Sequence, residues 1–310
     1  MISHDRSPAM TRVNDTASAA MVILALLWHS PSAAAPQIHC GAEREPPPVF
    51  TVQARAPIRA LAFGDFGEGN EPQRRTAAAM VAYHGGHPFD FGITLGDNFY
   101  PSGISSLADP RWKSQFEDLY GPMGIKFYAT LGNHDYYDIA SPTTEISYSK
   151  SSPDWRLESP YYTFVAGPVQ FFAIDTVCLS QAELAWLTKE LAASRAHWKL
   201  VYGHYPIYSA TEEDPELIEK LLPVLERGGV DVYLSGHHHN LQVLQSDGRL
   251  HFWVSGGGGA HLHPLHWGYE RTVYKKEANG FTVLEADDHH LTARFIGTRG
   301  DELYRDSIDR

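Results

Sequence analysis

Residues Val230–Asn240 read VDVYLSGHHHN. The apolar, β-branched opening predicts a buried strand that runs through a serine and a glycine into three consecutive histidines. An internal histidine triple has two readings: a solvated turn that tolerates polar residues, or metal. Metal makes the three unequal. Where the extended geometry persists, side chains alternate, and residues two apart point the same way about 6.6 Å from one another. His237 and His239 then face one site while His238 points elsewhere. The fragment alone leaves both readings open, and the rest of the chain decides.

The same pattern recurs upstream. Candidate strands are IRALAFGD, FDFGITLGD, IKFYATLGN, VQFFAID, WKLVYGH, VDVYLSGH and LHFWVSGG, and a final pair, GFTVLEAD and HLTARFIG, reads as a hairpin. Helical patterns cover Glu71–His84, Asp109–Tyr120, Gln181–Arg195 and Pro215–Arg227. In the third, Ser180 and Glu183 form a capping box ahead of an apolar stripe of Leu184, Leu187 and Leu191. Pro223 is expected to kink or split the fourth, and Gly228–Gly229 to end it. Strands alternating with helices, without a long repeat or charged linker, give one α/β domain.

Five of the apolar runs end in a short polar motif: GDFG (Asp65), GDNFY (Asp97, Tyr100), GNHD (Asn133, His134), GHYP (His204) and GHHHN (His237, His239). In α/β sheets the C-terminal strand ends face the crevice where ligands bind. A glycine before each polar residue permits a tight turn and close backbone approach. Carboxylate, amide oxygen, phenolate and imidazole together suit hard to borderline ions, and one carboxylate can bridge a pair of them. Two ions about 3.5–4 Å apart can clamp the attacking and leaving oxygens of an in-line displacement at phosphorus. On this reading His237 and His239 serve different metals and His238 serves neither. The two cysteines, Cys40 and Cys178, make neither a structural zinc site nor a disulfide scaffold, although in an exported protein they could pair.

The 310 residues carry a formal charge of −12 and no Lys/Arg cluster, a poor electrostatic partner for nucleic acid or an anionic membrane. Any affinity for phosphate must therefore be local. The N-terminus holds an apolar run, Ala19–Trp28, too short to span a bilayer, and then HSPSAAAP with small residues ending at Ala35. This predicts a secretory signal over residues 1–35, a Pro-rich lead over 36–52 and a catalytic domain over 53–310, with the mature protein secreted or periplasmic and not inserted in the membrane.

Over Ile58–Arg299 the five motifs, in this order, resemble the calcineurin-like metallophosphoesterases. Tyr100, three residues after the second aspartate, narrows the resemblance to the purple acid phosphatases. LTKELAASRAHWKLVYGHYPIYS and YLSGHHHNLQVL are similar to the small, tartrate-resistant type, which lacks the N-terminal β-domain of the larger plant enzymes. The resemblance implies an α/β/β/α sandwich of two mixed sheets flanked by helices, with a dinuclear centre at the C-terminal strand ends. It puts Asp65, Asp97, Tyr100 and His239 around an Fe(III), and Asn133, His204 and His237 around a divalent ion (Fe, Zn or Mn), with Asp97 bridging. It makes His134 the group that stabilises or protonates the departing alkoxide, Asp135 the acidic residue that follows it, and a metal-bound hydroxide the nucleophile. The implied activity is hydrolysis of small phosphomonoesters, the alternative being phosphodiesters or nucleotide pyrophosphates on the same scaffold.

The sequence departs from that family at one place. Small mammalian-type members carry a histidine nine residues beyond the GHYP histidine, and here the position is Glu213. Glu213 takes over as proton donor, or His134 works alone, or His261 or His263 from the loop Gly256–Glu270 substitutes; the second option is the expectation. Asp175 is open between supporting the centre and being a satisfied buried carboxylate. Tyr136 and Tyr137 are expected to pack, and His289 and His290 to be solvated.

Overall fold

The computed structural model describes residues 38, 40 and 47–310, except 55, 246, 247 and 266–269. The described residues belong to one compact unit, Gln37–Arg310. The expected export signal lies outside them. Among them, no helix is long and apolar enough to cross a membrane.

Two mixed sheets carry the fold. One has seven strands in the order Glu302–Asp309, His290–Gly297, Gly280–Ala286, Ile58–Phe63, Phe91–Leu95, Phe127–Thr130 and Trp155–Arg156. The other has eight, in the order Val49–Val52, Tyr162–Ala166, Val169–Ala173, Trp198–Tyr202, Val232–Ser235, His251–Ser255, Leu241–Gln245 and Thr272–Lys276. Each sheet has a parallel centre: Ile58–Phe63, Phe91–Leu95 and Phe127–Thr130 in one, and Val169–Ala173, Trp198–Tyr202, Val232–Ser235 and His251–Ser255 in the other.

Period-two alternation sorts the side chains of the second sheet. Phe171, Leu200, Tyr202, Val232, Leu234 and Trp253 enter the core between the sheets, whereas Phe172, Val201, Tyr233, Phe252 and Val254 turn to the outer face. There they meet Leu184, Leu187 and Leu191 of the helix Gln181–Ala193, and Leu217, Val224 and Leu225 of the helices that follow. Between the sheets, Phe91 sets its ring almost perpendicular to Phe164 and Phe171, at 5.6 and 5.4 Å. The outer side of the seven-stranded sheet is covered by the helix Glu71–Gly86 and the helical segment Trp112–Tyr120, whose Phe116 packs on Phe127 and Trp155. The result is the α/β/β/α sandwich.

The expected hairpin is present, and Glu302–Asp309 adds a third antiparallel strand to it. The helix expected over Pro215–Arg227 is split at Leu221 into Pro215–Lys220 and Leu222–Gly228, with Pro223 in the first turn of the second, and Gly229 closes it in the left-handed region. Ser180 Oγ caps the Glu183 amide at 3.1 Å. Val49–Val52, at the end of the Pro-rich lead, is an edge strand parallel to Tyr162–Ala166, and Cys40 and Cys178 are joined by a disulfide.

Candidate metal centre

The two parallel centres end at the same edge of the sandwich. Asp65, Asp97, Tyr100, Asn133 and His134 follow three strands of the seven-stranded sheet; His204, His237 and His239 follow two strands of the other. The structure brings all seven expected ligands together. Six are buried and His237 is half-buried.

They form two groups that share Asp97. Asp97 Oδ2 lies 3.0 Å from the Tyr100 hydroxyl, which is also 3.4 Å from Asp65 Oδ1 and 3.0 Å from His239 Nε2. Asp97 Oδ1 lies 3.4 Å from His204 Nε2, which is 3.0 Å from Asn133 Oδ1 and 3.3 Å from His237 Nδ1. The donor atoms of Asp65, Asp97 and His239 fall within 4.8 Å of one another, and so do those of Asp97, His204 and His237.

Hydrogen bonds on the far side of each ligand decide what points inward. His204 Nδ1 donates to the Leu95 carbonyl at 2.8 Å and His239 Nδ1 to the His261 carbonyl at 2.6 Å, so both Nε2 atoms are bare. Asn133 Nδ2 donates to the Tyr137 hydroxyl at 2.9 Å, leaving Oδ1 turned in. Bare lone pairs of His204 and Asn133 thus face each other, and the single Tyr100 proton cannot serve three acceptors. A cation in each group satisfies what protein hydrogens do not. The donor set fits a pair of metal ions.

The electrostatics differ from donor to donor. Burial, and then the neighbouring His204, His238 and His239, hold the His237 pKa well below the usual imidazole value, keeping it neutral as a ligand must be. Burial works against a charged His239, but the Asp65 carboxylate outweighs it and raises the pKa. Burial, followed by Asp65 and Asp97, pushes the Tyr100 phenol well above its ordinary value.

The backbone holds a correction. The strand ends at Ser235 and His237 has φ of 66°, so extended geometry does not persist through the triple. His237 and His239 still face the centre, but a left-handed turn puts them there, not alternation. His238 is buried and places Nε2 3.1 Å from Glu212 Oε1. Asp65 and Asp97 are also left-handed, at φ of 59° and 51°. Among the motif glycines, Gly132 serves close approach: a Cβ there would run into the Asp97 backbone amide and carboxylate.

The comparisons with known proteins agree with this geometry. The profile of the calcineurin-like phosphoesterases matches residues 58–241, a span that holds all seven donors and His134. The chain is 33% identical over 260 residues to mouse tartrate-resistant acid phosphatase type 5, covering 71% of this chain and 79% of that one. It is 30% identical over 286 residues to purple acid phosphatase 7 of Arabidopsis thaliana, covering 81% and 85%.

The chain belongs to the purple acid phosphatases of the calcineurin-like phosphoesterase family.

The fold alone would not have placed it there. The solved structure of GAP50, the anchor in the inner membrane complex of Plasmodium, superposes with a TM-score of 0.74 at 23% identity, covering 81% of this chain and 88% of that one. In this purple acid phosphatase, a metal-dependent phosphohydrolase with a dinuclear centre, the groups around the donors can now be assigned. His134 sits at the rim, its Nδ1 donating to the Pro101 carbonyl at 2.7 Å and its ring 4.3 Å from that of Tyr100. Its backbone N–H donates to Asp97 Oδ1 at 2.8 Å. Asp135 is fully buried and accepts from the amides of Gly132, Asn98 and Phe99 at 2.8, 3.0 and 3.2 Å, tying the second motif to the third. Burial and then Asp97 push its pKa up to about 7.

Sequence reasoning missed Asn98, Glu145 and Thr176. Asn98 Nδ2 donates to Asp135 and Glu145, both at 3.1 Å, and Thr176 Oγ1 accepts the amides of His204 and Tyr205 at 3.1 and 2.8 Å. Only the adjacency of Asn98 to Asp97 could have flagged it. Asp175 is a satisfied buried carboxylate: the Tyr136 hydroxyl and the amides of Val177 and Cys178 donate to it. Glu213 lines a cleft of about 520 Å³ with Tyr205, Glu212, Asp214 and His237. The loop histidines lie beyond the other group of donors, with the His263 ring stacked 3.8 Å from that of His239 and His261 Nδ1 3.0 Å from Glu68 Oε1. Burial first, then His239, lowers the His263 pKa to about 4. His289 and His290 are exposed.

Proposed function

We propose that the protein is an acid phosphatase that hydrolyses small phosphomonoesters. Asp65, Tyr100 and His239 would hold a ferric ion, and Asn133, His204 and His237 a divalent ion (Fe, Zn or Mn), with Asp97 offering one oxygen to each group. The observation that carries this reading is the division of Asp97, one oxygen in each donor group. Two ions held there would supply Lewis acidity to a phosphoryl group and an activated water. The chain does the rest. Asp97, Asp65 and Tyr100 gather hard oxygen donors on one side, while the amide and imidazoles of Asn133, His204 and His237 suit a softer, less charged ion. His134, pinned through Nδ1, offers Nε2 to the departing oxygen, to stabilise or protonate it. The cleft beside His237 has the size of a small-molecule site and takes the leaving group.

The deciding experiment pairs a metal analysis of the purified protein with rates on p-nitrophenyl phosphate and bis(p-nitrophenyl) phosphate. Two metals per chain, one of them iron, and a strong preference for the monoester are expected. A preference for the diester would replace the reading with a phosphodiesterase.

Export through residues 1–35 belongs to the same reading. The Cys40–Cys178 disulfide supports it, because such bonds persist in oxidising compartments. Deleting residues 2–35 should leave the protein inside the producing cell; unchanged export would remove this part.

A further inference from the structure

We infer that Tyr137 is a positioning residue that sets how tightly the divalent ion is held, by governing which end of the Asn133 amide faces the centre. The inference rests on the dinuclear reading above.

Asn133 is the one amide among the seven, and an amide presents nearly the same shape either way round. One end of it lies 3.0 Å from His204 Nε2, the other 2.9 Å from the Tyr137 hydroxyl. His204 Nε2 is bare because Nδ1 is committed to Leu95. A metal-free centre therefore has an alternative: the amide turns over, and Nδ2 donates to His204 in place of the ion. Metal binding competes with that internal hydrogen bond.

Tyr137 decides the competition because its hydroxyl both accepts and donates. With tyrosine, the metal-facing amide gives its N–H to the hydroxyl and the turned amide accepts from it, so neither orientation leaves a buried group unpaired. With phenylalanine the two orientations part company. The metal-facing one orphans an N–H on a residue that is only 6% exposed; the turned one orphans only a carbonyl, which structures tolerate better. The balance shifts toward the orientation that excludes the ion. Accepting the amide N–H also draws charge toward Oδ1, which makes it a better donor. Partners behind metal ligands are commonly worth about 10–100-fold in affinity.

The Tyr137 ring also stands 4.8 Å from His134, edge to face. Tyr137→Phe keeps that ring and removes only the oxygen, so the fold and the packing of His134 are preserved.

The test is Zn(II) affinity of the divalent position, measured by competition with a chromophoric chelator on protein already loaded with iron, without reference to turnover. Tyr137→Phe should weaken Zn(II) about tenfold. The measurement is repeated in an Asn133→Asp background, where the ligand has no N–H to orphan; there Tyr137→Phe should weaken Zn(II) no further. Equal weakening in both backgrounds would mean that Tyr137 merely supports the loop, and no weakening in either would mean that it does not act on Asn133; each overturns the inference. A wild type that takes up no second ion would instead overturn the dinuclear reading, so the two failures are distinct.

Discussion

His238 turns its Nε2 to within 3.1 Å of Glu212 Oε1, while the histidines on either side of it face the donors. The three consecutive imidazoles thus differ in what they touch. His237→Ala and His239→Ala should each lose metal and nearly all activity. His238→Ala should keep most of both, and because the Glu212 side chain is 63% exposed, losing the contact should cost no more than about 1 kcal/mol. Metal content by elemental analysis and thermal melting check this; a metal-poor His238→Ala would contradict it.

His134 hydrogen-bonds Asp97 through its backbone, and its Nε2 stays 4.0 Å from Asp97 Oδ2, so removing the imidazole should leave the centre loaded. His134→Ala is expected to retain two metals while turnover drops on the order of 10²–10⁴-fold. Glu213→Gln, altered on the cleft wall beside His237, should show a much smaller effect. If Glu213→Gln fell as far as His134→Ala, the proton donor would be the glutamate.

Tyr100 supplies a phenolic oxygen 3.0–3.4 Å from Asp97, Asp65 and His239. An iron-loaded preparation should absorb visible light through phenolate-to-ferric charge transfer and look pink to violet. Tyr100→Phe should lose the colour, hold metal through the remaining donors and keep some hydrolysis. A coloured Tyr100→Phe, or a colourless iron-containing wild type, rules out the tyrosine as ligand.

Asp175 makes the protein's stability depend on pH in a specific direction. Burial, set against donation from Tyr136, Cys178 and Val177, pushes its pKa up from 3.8 to about 6. A carboxyl with a raised folded-state pKa is favoured in the fold when protonated, so its contribution is complete below about pH 4 and declines as pH rises to about 6. Asp175→Asn does not titrate. Denaturant unfolding of the metal-stripped proteins should therefore show wild type losing stability relative to Asp175→Asn across that window, on the order of 1–3 kcal/mol, and no further change above it. A constant difference, or one of opposite slope, would refute the assignment.

The parts of this structure that were legible in the sequence are those whose physics is local. Five apolar runs ending in glycine and a polar residue reveal both the parallel strands and the edge where they terminate. The sequence was silent on strands with no apolar face to write: Val49–Val52, Thr272–Lys276 and Glu302–Asp309 lie at sheet edges with alternating exposed and half-buried positions. Trp155–Arg156 is two residues long. The support behind the donors was hidden for another reason. Asn98, Glu145, Thr176 and Tyr137 act through partners that only the folded chain brings near, and the triple histidine reached the right outcome through a turn that no strand periodicity describes.

The left-handed backbone at Asp65, Asp97 and His237 also restricts which residues can stand there. Aspartate, asparagine and histidine enter that region several times more readily than other side chains bearing a Cβ, and they are also metal-binding residues. A glutamate at Asp65 or Asp97 would be wrong twice, once for its reach and once for its backbone. The loops thus narrow the alphabet of ligands before coordination chemistry does, and drift at these positions is confined to substitutions that keep the centre's character or abolish it.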